Sequence, residues 1–174
     1  MGINIEIKAR IRDLEGLRKR AEALSDTPCR VVSQEDTFFY TPQGRLKLRN
    51  LEPDRGELIY YVREDAAGPK RSNYLLCATT DPVSLEAVLE AALGVRGVVR
   101  KRRSLYHVGE TRIHLDEVEG LGSFVELEVV LGFGQSEDEG QAIAAKLMAQ
   151  LGIEETDLVE GAYIDLLQGP DSVY

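Results

Sequence analysis

The basic residues of this 174-residue sequence fall into short rows in which every second position is charged. Arg45, Lys47 and Arg49 alternate with leucines, and Lys101 and Arg103 repeat the spacing farther along the chain. Side chains of a strand alternate between its two faces, so each row would lie on one face. Like charges that converge in a partly enclosed space are costly unless a ligand neutralises them. The rows therefore predict a site for a polyphosphate.

Carboxylates follow the same alternation in other stretches. Glu6 stands two positions before Lys8, Asp116 lies among alternating polar residues, and Glu126 is followed at the same spacing by Glu128. Mg²⁺ is usually bound by one or two carboxylates, waters and substrate phosphates, so acids near a phosphate chain suit a hard divalent cation. Any one pair taken alone is better explained as a solvated strand face. The recurrence over five strands favours a site for a phosphate chain and its metal.

The same periodicities predict the elements that must position these residues. Alternation predicts eight strands, at 3–11, 31–40, 45–51, 57–63, 71–79, 97–108, 111–118 and 123–131. Helical spacing after the capping residues Asp13, Asp81 and Ser136 predicts three helices, which end near residues 23, 93 and 151. The segment 158–167 is ambiguous between a strand and a helix.

The order of these elements predicts the fold class. Runs of adjacent strands separated by helices favour an α+β domain with a largely antiparallel sheet. Eight strands can also close into a barrel wide enough to hold one ligand. If the apolar strand faces pack against the helices, the charged faces meet inside. We therefore expect an eight-stranded antiparallel closed β-barrel with a charged interior and helices packed outside, as one domain over residues 1–170 with a tail at 171–174.

Composition and charge exclude several classes of protein. Residues 1–112 contain 20 of the 21 Lys and Arg residues and 16 of the 30 acids, so this part is near +4 and the remainder near −13. Mutual charge compensation between the two parts is the simplest interpretation. A duplex nucleic-acid binder is disfavoured, because its basic face would compete with the acidic half. No apolar run approaches the roughly 18 residues of a membrane span, and no signal peptide is recognisable. We expect a cytoplasmic protein that binds neither nucleic acid nor membrane.

Five segments also carry a family resemblance. They are N-I-E-I-K at 4–8, L-K-L-R at 46–49, Y-Y-V-R at 60–63, K-R-R at 101–103 and H-L-D-E-V-E-G-L-G-S-F-V-E-L-E at 114–128. In content and order they resemble the signature of the CYTH or triphosphate-tunnel family, which includes class IV adenylyl cyclases, thiamine triphosphatases and inorganic triphosphatases. The amino-acid sequences of these segments are most similar to those of the class IV cyclase-like bacterial branch.

The resemblance implies a tunnel that binds a triphosphate end-on with Mg²⁺ or Mn²⁺. The implied phosphate ligands are Lys8, Lys47, Arg49, Arg63, Lys101 and Arg103, to which Arg45 is added because it shares a strand face with Lys47 and Arg49. The implied metal ligands are Glu6, Asp116, Glu126 and Glu128. The candidate catalytic residues are Glu6, Lys8, Lys101 and Arg103.

One position departs from the family pattern. Asn4 stands where the signature has its first acid, and a neutral amide oxygen is a weaker ligand than a carboxylate. One of two metal positions is therefore expected to be weakened or lost. His114 is expected to be a hydrogen-bond partner in the lining rather than a general base. The aromatic residues at 38–40 and 60–61 favour sheet packing over a nucleoside pocket.

These features predict a metal-dependent protein that processes triphosphates. The first hypothesis is class IV adenylyl cyclase-like chemistry, in which the ribose 3′-hydroxyl of ATP attacks the α-phosphate and pyrophosphate leaves. The alternative is a triphosphatase, in which water attacks the terminal phosphate of an inorganic or organic triphosphate. A third hypothesis, motivated by Asn4, is a triphosphate or polyphosphate binder without turnover. The oligomeric state is open, with a homodimer as one option.

Overall fold

The computed structural model describes residues 2–52 and 54–169, which form eight strands, four α-helices and one short 3₁₀ helix. The strands are β1 (Gly2–Arg10), β2 (Arg30–Phe39), β3 (Arg45–Glu52), β4 (Arg55–Arg63), β5 (Lys70–Thr79), β6 (Val95–Val108), β7 (Thr111–Val118) and β8 (Gly122–Val130). The helices are α1 (Leu14–Leu24), α2 (Pro82–Leu93), α3 (Glu137–Leu151) and α4 (Tyr163–Gln168), with the 3₁₀ helix at Glu155–Asp157.

The eight strands close into an antiparallel barrel. Around the barrel the order is β1, β5, β4, β3, β2, β6, β7 and β8. β1 closes it, because Asn4 pairs with Ser72 of β5 on one side and with Val130 of β8 on the other. Closure leaves no strand edge unpaired along the ring. The predicted closed barrel of eight antiparallel strands, with helices outside, is therefore confirmed.

The main apolar core lies between the outer face of the barrel and helices α1 and α3. Ile5 and Ile7 of β1 are fully buried there, because the alternation that sends polar residues inward sends the isoleucines outward. Gly140 lets α3 approach closely, since a Cβ at this position would lie 2.7 Å from a side-chain atom of Ile5 and 2.6 Å from one of Leu131. Each fully buried aliphatic side chain contributes about 1.5–3 kcal/mol, so this contact fixes β1 against α3.

The three predicted helix starts are confirmed by their caps. Asp13 accepts a hydrogen bond from the Gly16 amide, and Ser136 with Glu139 forms the expected capping box. Helix α2 covers less of the barrel than expected, since Val83 is 70% and Val88 63% exposed. The reason is that the apolar residues of α2 are spread around the helix instead of forming one stripe.

The ambiguous C-terminal segment resolves into a bridge and a helix. Leu158 makes an isolated bridge to Ala9, and α4 follows. Tyr163 and Ile164 of α4 pack against Phe38 and Phe124 in a second apolar cluster, so this segment covers one end of the barrel.

Strand bounds differ from the predicted ones by at most two residues. β6 begins at Val95 and runs through Gly97, which the pattern treated as a strand start. The missing side chain at Gly97 makes room for Ile164, whose Cδ1 would lie 2.6 Å from a Cβ there. Pro53, which lies between β3 and β4, and the predicted tail at 171–174 are outside the described residues. No helix in the described ranges is long and apolar enough to cross a membrane.

Candidate functional site

The inner faces of all eight strands line one cavity of about 320 Å³. It brings together most of the predicted site residues, because each occupies the inward positions of its strand. Those that line the cavity are Glu6, Lys8, Lys47, Arg49, Arg63, Lys101, Arg103, Glu126 and Glu128. Leu76 also lines it and is half exposed, whereas Ala162 and Tyr163 close the opposite part of the lining. The cavity is therefore covered at the α4 end.

Asp36 fixes the basic pair of β3. Its carboxylate accepts hydrogen bonds from Lys47 Nζ at 2.7 Å and from Arg49 Nε at 2.8 Å. Although burial alone would raise its pKa, Lys47 and Arg49 hold the pKa of Asp36 well below its ordinary value. The sequence predictions did not include Asp36. The signal was present, since Gln34, Asp36 and Phe38 alternate on one face of β2.

Asp116 fixes the basic pair of β6 in the same way. Lys101 Nζ lies 3.0 Å from Asp116 Oδ2, and Arg103 donates to both carboxylate oxygens at 2.7 and 2.6 Å. The Tyr163 hydroxyl adds a fourth hydrogen bond at 3.1 Å. Burial opposes ionisation, but Arg103 and Lys101 lower the pKa of Asp116 to about 2. Asp116 is fully buried and supports two lining cations; its predicted metal role stays a prediction. We call Asp36 and Asp116 the aspartate anchors.

The covered end of the cavity holds two further cations against the C-terminal segment. Lys8 Nζ donates to the Gly161 carbonyl at 3.1 Å and lies 3.2 Å from Glu126 Oε1. Arg63 donates to the same carbonyl at 2.9 Å. Lys8 Nζ also lies 4.0 Å from the centre of the Tyr163 ring, a cation–π contact. The predictions missed Gly161 and Tyr163, because a backbone carbonyl and a short helix leave no periodic signal.

Glu6 differs from Asp36, Asp116, Glu126 and Glu128 in the direction of its pKa shift. Arg63 Nη1 lies 2.7 Å from Glu6 Oε2. Burial and the nearby charge of Glu128 nevertheless raise the pKa of Glu6 above its ordinary value. Glu6 and Glu128 are paired positions of β1 and β8, so their side chains share the inner face. A carboxylate with a raised pKa is a better proton acceptor than an ordinary one.

Arg45 is the one predicted phosphate ligand that is not part of the cavity lining. Its guanidinium binds Asp65 and Asp165, both at 2.7 Å. Asp165 belongs to α4 and also binds Arg96 at 2.7 Å. These contacts tie α4 to the barrel. Phosphate binding by Arg45 stays a prediction.

His114, Glu126 and Glu128 form a third group, which we call the glutamate–histidine cluster. One donor atom from each lies within 4.8 Å of the others. The side chains of Glu126 and Glu128 are 15% and 20% exposed, so they face the open cavity more than the aspartate anchors do. Arg103 binds Glu126 at 2.7 Å and Arg112 binds Glu128 at 2.9 Å. Two carboxylates and an imidazole are a donor set that fits a divalent cation.

Comparisons with known proteins agree with this geometry over almost the whole chain. The model of the CYTH domain matches residues 2–163. The adenylate cyclase CyaB of Aeromonas hydrophila is 26% identical, over an alignment that covers 94% of this chain and 88% of that protein. The structure of the PH1012 protein from Pyrococcus horikoshii OT3 is similar at a TM-score of 0.84 and 26% identity, covering 94% of this chain and 99% of that one. A candidate adenylate cyclase from Vibrio parahaemolyticus has a TM-score of 0.76 at 22% identity, covering 96% and 98%.

Proposed function

Because the chain belongs to the CYTH domain family, we propose that it is a metal-dependent enzyme that converts ATP to cyclic AMP and pyrophosphate, as class IV adenylyl cyclases do. One observation carries the proposal: six of the predicted phosphate ligands, all cations, converge with the glutamate–histidine cluster in a single cavity covered at one end. A triphosphate is a ligand whose charge such a lining neutralises along its length. The relative CyaB supports ATP as that triphosphate.

The six cations bind the phosphates in this proposal. They are Lys8, Lys47, Arg49, Arg63, Lys101 and Arg103. The aspartate anchors hold four of them in place before substrate arrives, so little reorganisation is needed on binding. Fixed cations at the phosphoryl oxygens stabilise the charge that develops there in the transition state.

The remaining roles fall to the acids. The glutamate–histidine cluster would hold Mg²⁺ or Mn²⁺, which when bound shields phosphate charge and polarises the phosphoryl oxygens. Glu6 accepts the proton of the ribose 3′-hydroxyl, since burial raises its pKa. The 3′-oxygen then bonds to the α-phosphorus, and the bond from that phosphorus to the bridging oxygen breaks. Pyrophosphate leaves with that oxygen, while the cations hold its charge.

Hydrolysis of a small triphosphate is the second candidate. A cavity of about 320 Å³ is at the lower end of the usual range of roughly 300–1,000 Å³ for small-molecule sites. That size favours a compact ligand such as inorganic triphosphate. The same cations would bind it, with water as the nucleophile at the terminal phosphate.

Product analysis separates these functions. Purified protein is incubated with ATP or inorganic triphosphate and with Mg²⁺ or Mn²⁺, and the products are resolved by ion-exchange chromatography and ³¹P NMR. Cyclic AMP and pyrophosphate in equal amounts support the cyclase. Orthophosphate without cyclic AMP rejects it in favour of the hydrolase. If no product forms but triphosphate raises the melting temperature, the protein is a binder.

Two variants of neighbouring residues on β6 test the site itself. Arg103→Ala removes a lining cation and should abolish turnover and weaken triphosphate binding. Arg102→Ala is the matched control, because Arg102 lies on the outer face, more than half exposed, and pairs only loosely with Glu117 at 3.5 Å. Equal effects of the two changes would rule out the cavity as the site. A cytoplasmic location, a homodimer, a single domain over 1–170 and the lack of nucleic-acid binding stay predictions from the sequence.

A further inference from the structure

An unpartnered imidazole lies at the centre of the glutamate–histidine cluster. His114 Nδ1 is 3.8 Å from Glu126 Oε2 and 3.7 Å from Glu128 Oε1. The His114 side chain is only 4% exposed. Hydrogen bonds from nitrogen to oxygen are about 2.7–3.2 Å long, so neither carboxylate is bonded to this nitrogen. Among the described residues, His114 Nδ1 has no hydrogen-bond partner.

A buried polar atom without a partner requires an explanation. Leaving one unpaired is destabilising, and the two carboxylates beside His114 could rotate to accept a bond if nothing else held them. Two arginines hold these carboxylates away from His114 Nδ1. Arg103 binds Glu126 at 2.7 Å, and Arg112 binds Glu128 at 2.9 Å. The three donors thus surround a gap instead of bonding one another. An ion with ligands at about 2.1 Å would fill such a gap and satisfy the nitrogen.

The first strand offers less to a cation than β7 and β8 do. Asn4 supplies a neutral amide, and its buried Oδ1 has no hydrogen-bond partner within residues 2–52 and 54–169. Glu6 is bound to Arg63 at 2.7 Å. A cation in the cavity is therefore drawn toward the glutamate–histidine cluster, where two carboxylates and a nitrogen donor are grouped.

We propose that His114 is a direct metal ligand through Nδ1 and that the site consequently prefers a first-row transition-metal ion such as Mn²⁺ over Mg²⁺. Imidazole suits transition ions, whereas Mg²⁺ takes oxygen ligands almost exclusively. The nitrogen donor takes over part of the role that a second acid on β1 would have. The inference rests on the proposed metal-dependent function, and it specifies which metal serves that site.

Pulsed EPR of Mn²⁺ bound to the protein tests the proposal directly, with Mn²⁺ alone as the probe. A coordinated imidazole gives ¹⁴N modulation of the Mn²⁺ echo. Labelling the histidines with ¹⁵N should replace this signal with ¹⁵N modulation. Only two histidines are present, which makes the control simple. His107 lies outside the cavity, where its Nδ1 is 3.5 Å from Thr27 Oγ1. The His107→Gln variant should keep the ¹⁴N signal, and His114→Gln should lose it.

Affinities measured in the same samples test the preference. We expect His114→Gln to weaken Mn²⁺ binding at least about 10-fold and to change Mg²⁺ binding, measured by competition, less than about 3-fold. Absence of ¹⁴N modulation in the unchanged protein overturns the proposal without any variant. The proposal is also overturned if the ¹⁴N modulation persists in His114→Gln, or if this variant loses Mn²⁺ and Mg²⁺ affinity equally.

The test is independent of turnover. A protein that shows the ¹⁴N signal but forms no product from ATP or triphosphate refutes the proposed function and leaves the ligand assignment intact. A protein that forms cyclic AMP without the signal refutes the ligand assignment alone.

Discussion

The aspartate anchors and the glutamate–histidine cluster are both built from buried acids of the same barrel, but their oxygens are used differently. Asp36 and Asp116 are at most 2% exposed, and each binds two cations through both carboxylate oxygens. Glu126 and Glu128 retain exposure to the cavity, and Glu128 Oε1 lies 3.7 Å from His114 Nδ1. An acid enclosed by cations positions them, whereas an acid at the cavity surface remains available to a ligand.

This difference separates stability from chemistry in the lining. The anchors hold Lys47, Arg49, Lys101 and Arg103 at fixed places, so their loss should first affect folding. Among the described residues, Glu128 of the cluster forms an ion pair with Arg112 alone, whereas Glu126 pairs with Lys8 and Arg103. Loss of Glu128 should therefore first affect metal binding and turnover. The four predictions below test this separation, beginning with the largest expected effect.

Asp116→Asn should produce the largest change in stability. Removing one partner of a buried ion pair costs about 3–5 kcal/mol, because the remaining charges stay buried without compensation. Lys101 and Arg103 would both be left in that state. Urea denaturation measures the loss. Glu35→Gln is the control, since it breaks an exposed pair with Arg100 and should cost about 0–1 kcal/mol. A similar cost for both variants would show that Asp116 is no anchor.

Glu128→Gln should reverse the pattern. We expect it to lower metal affinity and metal-dependent turnover about 100-fold. Its stability should change by less than about 1 kcal/mol, because Arg112, its partner, can reach solvent. Steady-state kinetics at several Mn²⁺ concentrations, with denaturation of the same samples, provide both values. A large loss of stability with unchanged metal affinity would place Glu128 among the anchors.

Rising pH should weaken triphosphate binding in both regions. Burial, partly opposed by the neighbouring acids, lowers the pKa of Lys8 and of Lys47 to about 8. Below this pH both ammonium groups are charged and attract phosphate; above it they lose their protons. Without metal, we expect the affinity for inorganic triphosphate to fall about 10-fold between pH 7 and 9.5. Calorimetry at pH 8.5 should detect proton uptake on binding.

Arginine substitutions assign that pH dependence to a region. Lys47→Arg removes the titrating group beside an anchor, and Lys8→Arg removes the one beside the cluster. Each should flatten part of the profile, since arginine stays charged. A profile unaffected by either change would show that other groups titrate.

Tyr163→Phe should have the smallest effect. The variant keeps the ring beside Lys8 and loses the 3.1 Å hydrogen bond to Asp116, which retains both cations. We expect a loss of about 1 kcal/mol in denaturation. Tyr40→Phe, at a half-exposed tyrosine, should be neutral. A loss as large as that of Asp116→Asn would mean that Tyr163, and not the two cations, holds Asp116 in place.

Strand periodicity accounts for most of the fold and for the inward lining. Ile5 and Ile7 face out and Glu6 and Lys8 face in, as period-two alternation requires, and the caps of α1 to α3 are local signals. The sequence did not predict the partner of each charged side chain. Lys8 meets Gly161 and Glu126 across most of the chain, and no local pattern specifies such contacts.

Two kinds of residue escaped prediction for physical reasons. Alternation places Glu35 and Asp36 on opposite faces of a polar strand, but only the contacts in the barrel show that Asp36 binds Arg49 while Glu35 pairs with Arg100. Tyr163 lies in a six-residue helix, which is too short for a 3.6-residue period to stand out. The role of His114 depended on the two glutamates of the neighbouring strand, which pairing in the sheet places beside it.

The closure of the barrel by β1 has a consequence for how the protein folds. β1 pairs with β5 and β8, which both lie far along the chain, so its contacts are among the most non-local in the molecule. Non-local pairings are slow to form, because closing a long loop costs conformational entropy before the contacts between the strands are made. Lys8 therefore reaches Glu126 only when β1 and β8 have paired. We expect the proposed phosphate site to be completed late in folding, so that a chain without this pairing should bind triphosphate poorly.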